Sequence, residues 1–215
     1  MTFIKKISPW LLILAVVGDF SLPYILGRFY PGFDQATMII SQLGEDGSPV
    51  QQAFNRGSIV TGSLFMLSSI GVYLFFRSES KRLAQILAGA IALYGFGDCL
   101  LTGLVHISKS ASFFSPAYFL HAAFSGIAMV AMMFVPLSLA YRAANKNEKL
   151  VVIFYLSCLV LSIIALLLFA AYYLPIVGAK LSSTRGMWQR VSLFFLYLPA
   201  FSVAVKQLKR AKTLL

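Results

Sequence analysis

Charge is what this sequence has least of. Only 12% of its 215 residues are Asp, Glu, Lys or Arg, against 59% hydrophobic, and its mean hydropathy is +0.82. A soluble domain carries about 25% charged residues. A chain of this size cannot hide so much apolar surface in a water-soluble core, because its exterior must still be covered by polar atoms. No soluble domain of any size is expected.

Cysteine is nearly missing too. Cys99 and Cys158 both lie in apolar runs. That excludes a disulfide framework and a Cys-x-x-Cys metal motif, and leaves both as small fillers between helices. Histidine is as scarce. His106 and His121 stand alone, without His-Glu-x-x-His or His-x-x-x-His spacing, so a three-histidine metal site is excluded. A bundle haem needs histidines facing each other from neighbouring helices, and this pair does not provide them. The residues name no cofactor. No internal repeat is visible, which argues against a carrier built from inverted halves of one chain. The net charge of +11 suggests nucleic acid, but the basic residues come in short clusters between apolar runs. They form no face with stacking or base-reading residues, so the bilayer is the expected partner and nucleic acid is not.

A membrane helix needs about 20 apolar residues. Six runs qualify, near 7–26, 57–76, 83–105, 116–141, 150–174 and 187–205. The expected fold is all-α, one polytopic bundle over 1–215 with six transmembrane helices. The first run follows Lys5 and Lys6 as a signal peptide would. It lacks a small-x-small cleavage site and is long enough to span, so it is read as a helix. Alternating connectors divide the basic residues twelve to six. The richer set includes both termini, which predicts a multi-pass cell-membrane protein with both termini cytoplasmic. Tyr24, Tyr30, Tyr118, Tyr172, Tyr173 and Trp188 then fall near outer helix ends, where interfacial aromatics belong. Gly95, Cys99 and Gly103 recur every four residues and predict a close helix contact. Pro136 and Pro199 lie inside helices and are expected to kink them.

The stretch 30–56, YPGFDQATMIISQLGEDGSPVQQAFNR, is the longest interruption of the apolar pattern. Its connecting part, 31–56, is placed outside the cytoplasm. Tyr30-Pro31-Gly32 reads as a turn. Asp34 is expected to cap a short helix over 35–43, whose Met38, Ile39, Ile40 and Leu43 would lie on the membrane surface. Gly44 to Pro49 reads as an acidic break. Asn55 and Arg56 then open the second transmembrane helix.

Ionisable groups within membrane helices are costly, about 2.5–3.5 kcal/mol on insertion scales, and mark functional candidates. Asp19, Asp98, His106, His121, Arg56 and Arg190 all map to the outer half of the bundle. One reading has Asp19 or Asp98 paired with Arg56 or Arg190 to hold helices together. The other is an outer-leaflet polar pocket that takes a lipid or small molecule, capped by the connection, with Ser41 or Glu45 facing the set. Asp98, Thr102 and His106 share one side of the third helix, but eight residues span about 12 Å. Asp98 and His106 therefore cannot share a metal, and His121 is the candidate metal ligand.

Three functions stay open. A lipid-directed hydrolase or transferase would draw nucleophile and acid/base from Ser41, Asp98, His106 and His121. A small-molecule or proton-coupled transporter would use Asp19 and Asp98 as protonatable groups, with Asp19, Glu45, Arg56 and Arg190 as binding candidates. A structural or accessory protein would use the outer segment as a contact surface.

The series Tyr-Pro-Gly-x-Asp, Ile-Ser-Gln-Leu-Gly, Ser-Pro and Phe-Asn-Arg-Gly within 30–57 resembles the membrane family called "domain of unknown function 998". Gly97-Asp98 and His121 look like counterparts of its later signature. Family members carry Phe-Pro-x-Asp after the third helix, where this chain has Val105-His106, so no role for that acid transfers. The resemblance implies the helical membrane fold and no activity.

Overall fold

The computed structural model describes residues 2–105 and 115–213. It carries six helices long and apolar enough to cross a membrane. They are α1 (Thr2–Gly27), α2 (Gln51–Phe76), α3 (Lys81–Leu104), α4 (Pro116–Ala144), α5 (Lys149–Ala170) and α6 (Arg185–Thr213). A short helix, Pro175–Leu181, precedes α6. No strand occurs among the described residues. Each helix packs on the next, and α1 packs on α6, so the six close into a ring. The core runs along its axis through Leu12, Phe65, Ile91, Met132 and Leu196. Large apolar side chains such as Leu150, Ile153, Val160 and Leu167 point outward, as lipid-facing positions do.

Small residues set the helix spacing, as their pattern predicts. A Cβ on Gly62 of α2 would lie 2.5 Å from the Gly95 carbonyl oxygen and 2.9 Å from Cys99 Cβ. The two backbones therefore meet at van der Waals distance, which no larger side chain permits. Ser8 of α1 donates to the Ser68 carbonyl at 2.8 Å, binding α1 to α2 near the opposite end. Within α3 the α-helix Lys81–Tyr94 gives way to a π-helical stretch, Gly95–Leu101, before Thr102–Leu104. A π-stretch inserts an extra residue per turn and is frequent at functional sites. This one contains Asp98.

The connection 28–50 departs from the expected layout. There is no continuous helix over 35–43. Asp34 Oδ1 accepts from the Ala36 and Thr37 amides at 2.7 and 2.9 Å, which makes one turn. Ile39 is extended, and a 3-10 turn follows at Ile40–Leu43. The α6 end competes for the backbone groups a helix would use. Met187 N donates to Ala36 O at 2.8 Å. Gln189 Oε1 accepts from Ile40 N at 2.8 Å. Leu43 is fully buried in the protein, not laid on the membrane surface. Gly32 and Gly47 make the sharp turns at φ of +78° and +81°, a region only glycine enters cheaply. The second helix begins at Gln51, so Asn55 and Arg56 sit inside its first turns. Asn55 faces inward and donates to Gly44 O at 3.2 Å, while Arg56 is exposed.

Candidate functional site

At the end of the ring that carries the connection lies a cavity of about 170 Å³. All six long helices contribute to its wall, α5 through Phe169. Asp19, Asp98, His121, Ser41 and Glu45 all line it. The structure thus brings five of the sequence candidates together. Ser41 and Glu45 come from the connection, the acids and His121 from the helices. His106 lies outside the described residues.

Two candidates are elsewhere. Arg56 is exposed and not on the cavity wall. Arg190 is only 4% exposed and sits behind the connection. Its Nε donates to Gln35 Oε1 at 2.8 Å, and its Nη1 to the Met38 and Gly186 carbonyls at 2.9 and 2.8 Å. Its guanidinium lies 5.8 Å from the centroids of both Tyr24 and Phe33. The expected pairing of Asp19 or Asp98 with Arg56 or Arg190 does not occur. Among the described residues neither aspartate is in an ion pair. Arg190 instead turns Nε and Nη1 to Gln35 Oε1 and to the Met38 and Gly186 carbonyls, about two helical turns from Tyr197.

Hydroxyls hold the two acids instead. Asp19 is eight residues before the end of α1, about 12 Å deep at 1.5 Å per residue. Its Oδ1 accepts from Thr61 Oγ1 at 2.9 Å and from Cys99 Sγ at 3.6 Å. Its Oδ2 accepts from Tyr197 OH. Asp98 Oδ2 accepts from Tyr94 OH at 2.8 Å, and Asp98 Oδ1 accepts from Ser125 Oγ. The two phenols lie 2.6 Å apart, oxygen to oxygen. An unbroken line of hydrogen-bonding groups, Asp19–Tyr197–Tyr94–Asp98, therefore crosses the cavity floor from α1 through α6 to α3. Tyr94 and Tyr197 are buried, while the two aspartates are half-buried, with accessible surface on the cavity wall. The π-stretch fixes where Asp98 points: its own carbonyl, freed from the regular ladder, accepts from Thr102 Oγ1, and Gly97 lets α3 approach the Phe124 carbonyl of α4 to within 2.9 Å of its missing Cβ.

The mouth is different in kind. Tyr118 and Tyr173 hydroxyls meet at 3.2 Å. Arg185 Nη2 donates to Tyr173 OH at 2.7 Å, and the guanidinium stacks 4.0 Å from the Tyr172 ring centroid. Arg185 Nε is buried with no partner among the described residues. His121 Nδ1 is likewise buried without a partner among the described residues. Among the described residues no group of three His, Cys, Asp or Glu is arranged to hold a metal ion.

Sequence reading missed Tyr94, Tyr197, Thr61, Ser125 and Arg185. Tyr94 had a signal, since it stands four residues before Asp98, the spacing of facing helical neighbours. Cys99, read as a filler, does pack against α2 but also donates to Asp19.

The family described as "Protein of unknown function (DUF998)" matches residues 13–206. The chain belongs to that family, as its motifs suggested, and the matched region contains every cavity residue named above. Among curated proteins and among solved structures nothing matches.

Proposed function

We propose that this multi-pass membrane protein is a proton-linked binding protein of the transporter class, whose cavity takes a small molecule with a cationic end. The observation that carries the reading is the line Asp19–Tyr197–Tyr94–Asp98. Three short contacts run along it, Tyr197 to Asp19, Tyr94 to Tyr197 at 2.6 Å, and Tyr94 to Asp98 at 2.8 Å, with a longer one from Tyr94 OH to Asp19 Oδ2 at 3.4 Å. Each short contact needs one proton between its oxygens. The two phenols supply one each. The third belongs to a carboxyl, so the pair of acids holds one proton and one negative charge. Rotating the hydroxyls passes that proton from one acid to the other.

A lone negative charge in a half-buried site is costly unless matched. A cation entering the cavity matches it and lets the shared proton leave. The charge balances: the acids go from minus one to minus two as one positive charge arrives. At the mouth Arg185 Nε has no acceptor among the described residues. The favoured ligand therefore has an ammonium at one end and a carboxylate or carbonyl at the other. A cavity near 150 Å³ holds about a benzene-sized molecule, so a small zwitterion fits and a lipid tail does not.

The test uses the purified full chain in detergent, with ethylammonium, acetate and a series of short ω-amino acids as probes. The expected result is thermal stabilisation by one length of ω-amino acid beyond either fragment. It is accompanied by release of about one proton in weakly buffered solution. No stabilisation by any probe overturns the reading. Binding without proton release removes the proton link.

A second reading draws on His121 Nδ1. It has no hydrogen-bond partner among the described residues while Ser41 lines the same cavity, which suits acyl transfer with Ser41 as nucleophile. Labelling of Ser41 by a fluorophosphonate, lost in His121→Ala, would favour this chemistry over ligand exchange.

A further inference from the structure

The opposite end of the bundle holds a second cavity, about 200 Å³, between the ends of α1, α2 and α6. Its polar wall is Lys5, Ser78, Gln207 and Arg210. Two observations there are independent. The first is charge. Lys5 and Arg210 both line the cavity, and among the described residues neither is in an ion pair. Arg210 is positioned by its guanidinium lying 5.5 Å from the Phe75 ring centroid. The second is a buried acceptor. Gln207 is only 5% exposed, and its Oε1 has no hydrogen-bond partner among the described residues. A buried amide oxygen left unpaired costs about 1–3 kcal/mol, so such groups are normally satisfied by something. Gly71 at the cavity wall lies against Ser8, with no room for a side chain.

We propose that this cavity binds a phosphodiester whose substituent carries a hydrogen-bond donor, the headgroup of an anionic membrane lipid. Lys5 and Arg210 neutralise the phosphate oxygens. Gln207 Oε1 accepts from the hydroxyl or ammonium of the headgroup. Basic pockets between transmembrane helices take anionic headgroups for the same electrostatic reason. The donor requirement is what Gln207 adds. Phosphatidylglycerol meets both demands, phosphatidylethanolamine meets the donor demand with no net charge, and phosphatidylcholine meets neither. This site is remote from the acid pair and does not depend on what that pair does.

The experiment is thermal unfolding and native mass spectrometry of the full chain in detergent, with each lipid added in turn. Glycerol 3-phosphate, a phosphomonoester with glycerol hydroxyls, serves as a soluble source of phosphate and donor. The expected order of stabilisation is phosphatidylglycerol, then phosphatidylethanolamine, then phosphatidylcholine. Arg210→Gln should weaken phosphatidylglycerol binding about fivefold. Gln207→Met keeps the volume and removes the acceptor, and should make phosphatidylethanolamine and phosphatidylcholine equal. Lys5→Gln is exposed and offers a variant that folds if Gln207→Met does not. Glycerol 3-phosphate acting as strongly as the lipid would support the phosphate site and assign it a soluble ligand. Equal stabilisation by all three lipids in the unmodified chain overturns the proposal, as does binding unaffected by both Arg210→Gln and Lys5→Gln.

Discussion

The two ends of the bundle treat their carboxylates differently. At one end Glu79, in the turn between α2 and α3, meets two cations. Arg142 Nε lies 2.9 Å from Glu79 Oε1, and Lys146 Nζ lies 3.1 Å from the same oxygen. At the other end Asp19 and Asp98 meet Thr61, Ser125, Tyr94, Tyr197 and Cys99, and no cation. A carboxylate paired with cations is fixed in its ionised form and serves to join α4 to the turn. A carboxyl held by hydroxyls is satisfied with or without its proton, because a hydroxyl both donates and accepts. The first arrangement joins helices, and the second carries the proposed proton link. The connection above the acids follows the same division: its cation, Arg190, is committed to carbonyls and so never neutralises them.

That division can be broken most directly at Arg190. Arg190→Ala strips the donors from Gln35, Met38 O and Gly186 O and is expected to cost about 3 kcal/mol or more. Thermal unfolding in detergent measures it. Arg190→Lys should not restore the loss, since one ammonium cannot cover a forked set of acceptors. Asp98→Asn, on the same end, should leave the connection seated. If Arg190→Ala unfolds like the unmodified chain, the cation does not hold the connection and the contrast fails.

Close backbone approach beneath the acids is the next test. Gly62→Val places a side chain against Gly95 O and Cys99, and such overpacking costs about 1–3 kcal/mol. Gly89→Val, in α3, has nothing within 4 Å of its Cβ and should lose nothing, since Val is the better helix former. Equal losses from both would mean that α2 and α3 do not depend on contact at Gly62. Tyr197→Phe, smaller still, removes one hydroxyl from the line and should cost about 1 kcal/mol. Its sharper readout is infrared: the band of a protonated carboxyl, one per chain at neutral pH, should vanish. The reason is that Tyr94 can then donate to Asp98 without a borrowed proton. Asp19→Asn and Asp98→Asn should each remove the same band.

The bundle was legible because lipid leaves few choices. Long apolar runs must close their own backbone hydrogen bonds, so six runs become six helices. The gathering of Asp19, Asp98 and His121 at one end was legible from depth along each helix. Partners were not. Whether Asp98 meets Arg190 or Ser125 depends on helix rotation, and the π-stretch at Gly95–Leu101 turns Asp98 in a way no regular period foretells. Tyr94 and Tyr197 looked like core aromatics because their rings are core, with Phe65 5.3 and 6.1 Å from them. Only the three-dimensional meeting of their hydroxyls gives them a polar role. The connection was misread as an amphipathic helix because its local pattern allows one. The Met187 amide and the Gln189 and Arg190 side chains of α6 took the hydrogen bonds that would have built it.

The smallest expected effect lies at Glu79 and separates charge from packing. Burial pushes its carboxyl up, but hydrogen bonds and charge from Arg142 and Lys146 outweigh that and hold it below its ordinary 4.5. A lowered value in the folded state means the pairing stabilises above pH 4.5 and is lost as pH falls through the folded value. Glu79→Gln removes the charge and keeps the shape. Because the pair is partly exposed, with side chains 17% and 32% accessible for Arg142 and Glu79, the loss should be under about 1 kcal/mol. It should be present at neutral pH, fade in acid, and shrink with added salt. A deficit that persists well below pH 4.5 would mean Glu79 acts by filling space, and the two ends would then differ in packing, not in how their carboxylates are charged.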